Sequence, residues 1–367
     1  MALQSPLADV KRLAKHWKTE FLWRDVEATL NELPNYRQSV KVNSFDPIDV
    51  HIVWKKSSNP NAIPLLFVHR WPGSFIEKNG GPAFYVVAPY MRNFGFSSRV
   101  TKSGFALSQY AETCHRLMQQ QGYEKYVTQG RDCGFHITSI LSILYPDYVL
   151  ANYINMVRAR LPSFASQPAL ALQHALTPYT EAEQKGIERL DWFIDQRQAY
   201  QTLHATKPHT ISYTFADSPV ALLAWIYEEL VDWTDNYPWT DDEILTWISI
   251  YWFSTSGPNV HIRIYYEAQH NLTDKVLNSD RASQWRDRVK LGLAHFPKEL
   301  SVMPKIWRRT MGPVVLESTN DKGGHFAAWE DQMPFSGTSR RCSARRGNVT
   351  RLCLAGMDIR DVDSSRV

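Results

Sequence analysis

The sequence predicts an α/β fold: a mostly parallel sheet with helices on its faces, a helical extension before it and a helical lid inserted into it. Three observations carry this. Apolar strand-like runs alternate with helical patterns up to about residue 154. From 155 to 270 the long patterns are almost all helical. Strand signals then return at residues 289–296 and 312–318. Alternation of this kind builds a parallel sheet covered by helices. The chain has 367 residues, enough for one large domain carrying an insertion.

Residues 1–45 read as a helical extension, clearest in "HWKTEFLWRDVEATLNELPNY" (16–36). The first part of the core follows at 46–154. "DVHIVWKK" (49–56) alternates like a strand, and Ser58-Asn59-Pro60-Asn61 is a turn. "AIPLLFVH" (62–69) and "FYVVAPY" (84–90) are near-continuous apolar runs, as expected of strands buried on both faces. "LSQYAETCHRLMQQQGY" (107–123) is helical and leads to a third strand, "EKYVTQ" (124–129). The lid spans 155–270, with helices in residues 182–204, 218–233 and 241–253. Residues 271–330 complete the core, and 331–367 read as a disordered or aberrant tail, with weak periodicity and scattered Arg and Ser.

Net charge is +4, and much of the excess sits in "SRRCSARRG" (339–347). No basic face interleaved with aromatics runs through the chain, which excludes a nucleic-acid footprint. The four cysteines, Cys114, Cys133, Cys342 and Cys353, form no Cys-x-x-Cys pair, so neither a zinc site nor a disulfide framework is suggested. No apolar run reaches the length of a membrane span, and no signal peptide is evident. A reducing, cytoplasmic setting is the expectation.

The informative stretch is "YVTQGRDCGFHITSILSILYP" (126–146). Tyr126, Val127 and Thr128 favour a strand. Ile137, Ile140, Leu141 and Leu144 share one helix face. Between them Gly130 and Gly134 flank Asp132, where a sharp strand-to-helix turn needs bare backbone. This is the arrangement of a nucleophile elbow with Asp in place of Ser; an ordinary Gly-Asp turn is the alternative. Glu299 in "AHFPKEL" follows one later strand, and His325 in "DKGGHFAAWE" follows the next. The chain order Asp, Glu, His is the nucleophile–acid–base order of α/β-hydrolases.

These motifs resemble the microsomal-type epoxide hydrolases, in a form similar to fungal members, within the α/β-hydrolase superfamily. The resemblance runs from about Trp17 to Glu330. It rests on "WRDVEATLNELPNY", on "AIPLLFVHRWPGSF" for the oxyanion strand end, on "YVTQGRDCG" for the elbow and on "GGHFAAWE" for the histidine loop. It implies an α/β-hydrolase core and hydrolysis of a hydrophobic epoxide to a vicinal diol through an Asp132 ester. By the same resemblance, His325 oriented by Glu299 activates water. Tyr200 and Tyr265 donate hydrogen bonds to the epoxide oxygen, with Tyr266 a lesser candidate. The backbone N–H groups of Trp71 and Cys133 form the oxyanion hole. No metal or organic cofactor is implied. The partners are the substrate and water, with no nucleic acid and a homodimer left open. Taken without the resemblance, the two tyrosines read as lid core.

The chain departs from the pattern at several places. Arg70 stands where the resemblance expects Gly before the oxyanion tryptophan. Arg131 and Cys133 replace Gly and Trp beside the nucleophile, and the Arg131 charge favours the ionised form of Asp132. The 76–84 connection is too short for the helix a parallel crossover needs. That connection and the tail together suggest a misplaced splice boundary. An inactive relative with a damaged oxyanion hole is therefore one alternative, and another Asp-nucleophile hydrolase such as a haloalkane dehalogenase is a second. The paired lid tyrosines speak against the dehalogenase, whose halide is released to N–H donors.

Overall fold

An eight-stranded sheet organises the residues described by the computed structural model, 5–69, 84–270 and 277–330. In chain order the strands are β1 (Asn35–Val40), β2 (Ile48–Lys55), β3 (Ile63–Val68), β4 (Phe84–Pro89), β5 (Tyr126–Gly130), β6 (Val149–Ile154), β7 (Lys290–His295) and β8 (Val314–Thr319). Their order across the sheet is β1-β2-β4-β3-β5-β6-β7-β8. The β1–β2 and β2–β4 pairings are antiparallel, and every pairing from β4 to β8 is parallel. From β3 the chain steps outward to β4, and from β5 it steps the other way to β6. The reversal lies between β3 and β5, so a crevice opens at their carboxyl ends.

Helices α1 (Leu7–Thr19) and α2 (Trp23–Asn31) precede the sheet, α3 (Leu107–Gln120) leads into β5, and α4 (Cys133–Leu144) leaves it. Between β6 and β7 comes the helical insertion: α5 (Pro168–Leu176), α6 (Glu181–Gln196), α7 (Ala199–Thr206), α8 (Pro208–Asp217), α9 (Pro219–Asp232), α10 (Asp241–Trp252) and α11 (Arg263–His270). Local chemistry sets their starts. Thr180 with Glu183 and Thr240 with Glu243 form capping boxes. Proline opens α5, α8 and α9, where its missing N–H costs nothing.

The α1 helix lies on α9 and α10, tied to the lid by an Arg12–Asp241 ion pair and by His16 Nε2 at 2.8 Å from Asp242. The lid is thus held by the extension on one side and by the sheet on the other.

The structure departs from the sequence reading in three ways. Residues 35–40, inside the stretch read as a helical extension, form strand β1 at the sheet edge. Tyr36, Arg37 and Ser39 are exposed, and the half-buried positions Asn35 and Gln38 are polar too, so there is no apolar alternation to read. The 16–36 pattern is two helices, broken where Leu22 takes an extended backbone. Strand β6 gave no sequence signal, because its face carries the buried Asn152 among apolar residues. Arg70, the Trp71 donor, the 76–83 connection and the tail from 331 lie outside the described residues.

Candidate active site

Asp132 sits immediately beyond β5 and is the N-cap of α4. Its backbone, φ 53° and ψ −124°, lies in a region side-chain-bearing residues rarely adopt, which costs on the order of 1–3 kcal/mol. The glycines on either side make the turn possible. A Cβ at Gly130 would collide with the Gly134 carbonyl, and one at Gly134 with the carbonyl of Val68 on β3. The chain therefore crosses β3 at closest approach, and the Asp132 side chain is lifted toward the crevice.

Glu299 and His325 reach the same place from the ends of β7 and β8. Their loops are joined by backbone pairing of Lys298 with Gly324, and the Lys298 N–H donates to the Gly323 carbonyl at 3.1 Å. His325 Nδ1 lies 2.5 Å from Glu299 Oε1, and its Nε2 lies 3.5 Å from Asp132 Oδ2. The carboxylate at Nδ1 orients the ring so that Nε2 faces Asp132. All three side chains are buried.

Burial alone would raise the Asp132 pKa, but the hydrogen bond and charge of His325, with the Cys133 N–H, outweigh it and hold the carboxyl well below its ordinary range. The sequence assigned that influence to Arg131; the largest contributions come from His325 and Cys133. The Cys133 N–H donates to Asp132 Oδ1 at 2.5 Å, the opening N–H of a helix directed at a carboxylate.

Above this floor lies a cavity of about 290 Å³. Asp132 and Cys133 line it from below, and Tyr200 of α7 and Tyr265 of α11 line it from the lid. The two phenol rings meet edge to face with centroids 6.0 Å apart. Burial pushes both phenols well above the usual tyrosine pKa, Asp132 adding to the rise at Tyr200 and Cys133 at Tyr265, so both remain O–H donors. Tyr266 is 39% exposed and stacks on His270 outside the cavity lining, which separates it from its neighbour.

Comparison with known proteins bears on this arrangement. Residues 4–78 match the sequence family described as "Epoxide hydrolase N terminus". A Stigmatella aurantiaca protein provisionally named an epoxide hydrolase is 33% identical, the alignment covering 92% of this chain and 76% of that protein. The chain belongs to the microsomal-type epoxide hydrolases. Juvenile hormone epoxide hydrolase 1 of Ctenocephalides felis is 29% identical over 88% of this chain and 74% of its own length. The solved structure of Aspergillus niger epoxide hydrolase superimposes with a TM-score of 0.75 at 28% identity, covering 92% of this chain and 87% of that one. The α/β-hydrolase fold expected from the motifs is the fold observed.

Several residues of this epoxide hydrolase escaped the sequence reading. Trp233, just past α9, meets His325 edge-on at 5.1 Å and Tyr200 at a tilt at 5.1 Å, and its carbonyl accepts the His325 backbone N–H at 2.7 Å. It joins lid to floor, yet in sequence it is one tryptophan among 13. The Glu330 carboxylate accepts from the backbone N–H of Gly324, Phe326 and Asp235 at 3.0, 3.0 and 2.6 Å, clamping the loop that carries His325. Arg158, beyond β6, and His136, one turn into α4, also line the cavity. Among the described residues no helix is long and apolar enough to cross a membrane.

Proposed function

We propose that the chain converts a hydrophobic epoxide and water into a vicinal diol through an ester on Asp132. The observation that carries the reading is one cavity bounded by an ionised carboxylate on its floor and two tyrosine hydroxyls in its lid. An epoxide carbon is opened from behind. A carboxylate oxygen forms the new C–O bond while the ring C–O bond breaks toward donors on the other wall. Tyr200 and Tyr265 supply those donors and a proton for the departing oxygen. A neutral O–H donor in a water-poor site stabilises the developing charge more than the same donor in bulk water.

The second step needs the other half of the site. Oδ1, held by the Cys133 N–H, is placed to become the oxyanion, and Trp71 is the proposed second donor. His325 Nε2 takes a proton from water, whose oxygen adds to the Asp132 carboxyl carbon. Collapse releases the diol and restores the carboxylate, and the proton set free returns to the tyrosine. Glu299 keeps the imidazole in the tautomer this requires.

Asp132→Ala should abolish diol formation from styrene oxide, a fall of about 10⁴-fold or more as expected when a nucleophile is removed. Unchanged turnover would refute the mechanism. Absence of turnover in folded wild-type protein would instead favour the inactive reading.

A further inference from the structure

The cavity holds a charge that the two-step reaction does not use. Arg158 is half-buried on its wall, and no ion pair or hydrogen bond of its side chain to a described residue is present. The other charged groups lining the cavity are already engaged. Asp132 is the proposed nucleophile, and Asp280 lies 3.5 Å from Arg160 at the exposed edge. His136 lines the same cavity, and its buried Nδ1 has no hydrogen-bond partner. Burial, reinforced by the Arg158 charge, pushes the His136 pKa down to about 3, so the imidazole is neutral and has one N–H to give.

The half-buried Arg158 guanidinium keeps only part of its hydration, and an anion brought by a ligand would pair with it inside the cavity. Arginine also matches a carboxylate with two parallel N–H donors. We propose that this cavity selects epoxides that carry a carboxylate, with Arg158 as the anion-binding residue and His136 as a second donor. The proposal rests on the epoxide-hydrolase reading above and names the substrate class within it. A cavity of about 290 Å³ suits a compact substrate.

The test compares 4-(oxiran-2-yl)benzoate with its neutral amide and with styrene oxide. In the wild-type protein kcat/KM for the acid should exceed that for the amide by about tenfold or more, and added salt should shrink the ratio. Arg158→Gln should bring the ratio close to one, whatever it does to each rate, and Arg158→Lys should restore part of it. Equal turnover of acid and amide by the wild type would overturn the proposal. So would an unchanged ratio in Arg158→Gln, or turnover of styrene oxide with neither benzoate derivative accepted. If folded wild-type protein turns over none of the three, the epoxide-hydrolase reading fails and this inference falls with it. Should Arg158→Gln not fold, the wild-type ratio and the Arg158→Lys variant decide.

Discussion

The floor and the lid of the cavity are built by different means. On the floor, backbone does the positioning: Asp132 stands on a strained turn, and two glycines let strand and helix meet. Backbone pairing ties the Glu299 loop to the His325 loop. In the lid, side-chain packing does it, through the run of ring contacts from Tyr265 to Tyr200, Trp233 and His325. A site held by backbone tolerates few residue types at its key positions. A site held by packing tolerates many, so long as the volume is filled.

That difference can be broken at three points. The largest effect belongs to the floor. Gly134→Ala places a methyl against the Val68 carbonyl, with no flexible side chain to give way. It should cost about 3 kcal/mol, the upper end of ordinary overpacking, and take activity with it. Thermal denaturation alongside turnover reads both; a variant as stable and active as wild type would show that the elbow does not depend on close approach.

The lid should respond in the opposite sense, losing rate without losing stability. Tyr200→Phe and Tyr265→Phe keep the rings that pack and remove only the hydroxyls. Each should slow ester formation by about 10²-fold, as loss of one transition-state donor does, with melting temperature little changed. Stopped-flow measurement of the alkylation step is the relevant assay. A large stability loss with normal alkylation would mean the hydroxyls serve the lid's structure instead.

The smallest effect is expected at Glu330, where floor and lid meet. Glu330→Gln weakens charge-assisted bonds to the His325 loop and should cost about 1–2 kcal/mol. Because it acts through His325, ester hydrolysis should slow several-fold while alkylation does not, so the ester builds up in the steady state. Equal slowing of both steps would remove the positioning role.

The same contrast explains what could be read from sequence. The elbow was legible because glycines at 130 and 134 around Asp132 are what a sharp turn demands, and strand and helix patterns flank them. Glu299 and His325 were legible because each directly follows an apolar strand run. Tyr200 and Tyr265 were assigned only through resemblance, since nothing in "AYQTLHAT" or "RIYYEAQH" marks one tyrosine as facing a cavity. Trp233 and Arg158 owe their places to long-range packing, which no local pattern encodes, while His136 rides on α4 and nothing in that helix pattern marks it as facing a cavity. Strand β1 was missed for a simpler reason: an edge strand with a polar face looks like any surface segment.

The central claim, that Asp132 is alkylated and His325 releases it, is tested most directly by the intact mass of His325→Gln protein after incubation with styrene oxide. The variant should stall at the ester. One added substrate mass, mapped by peptide fragmentation to Asp132, is the predicted result. A folded sample with no adduct, or with the adduct on another residue, would contradict it.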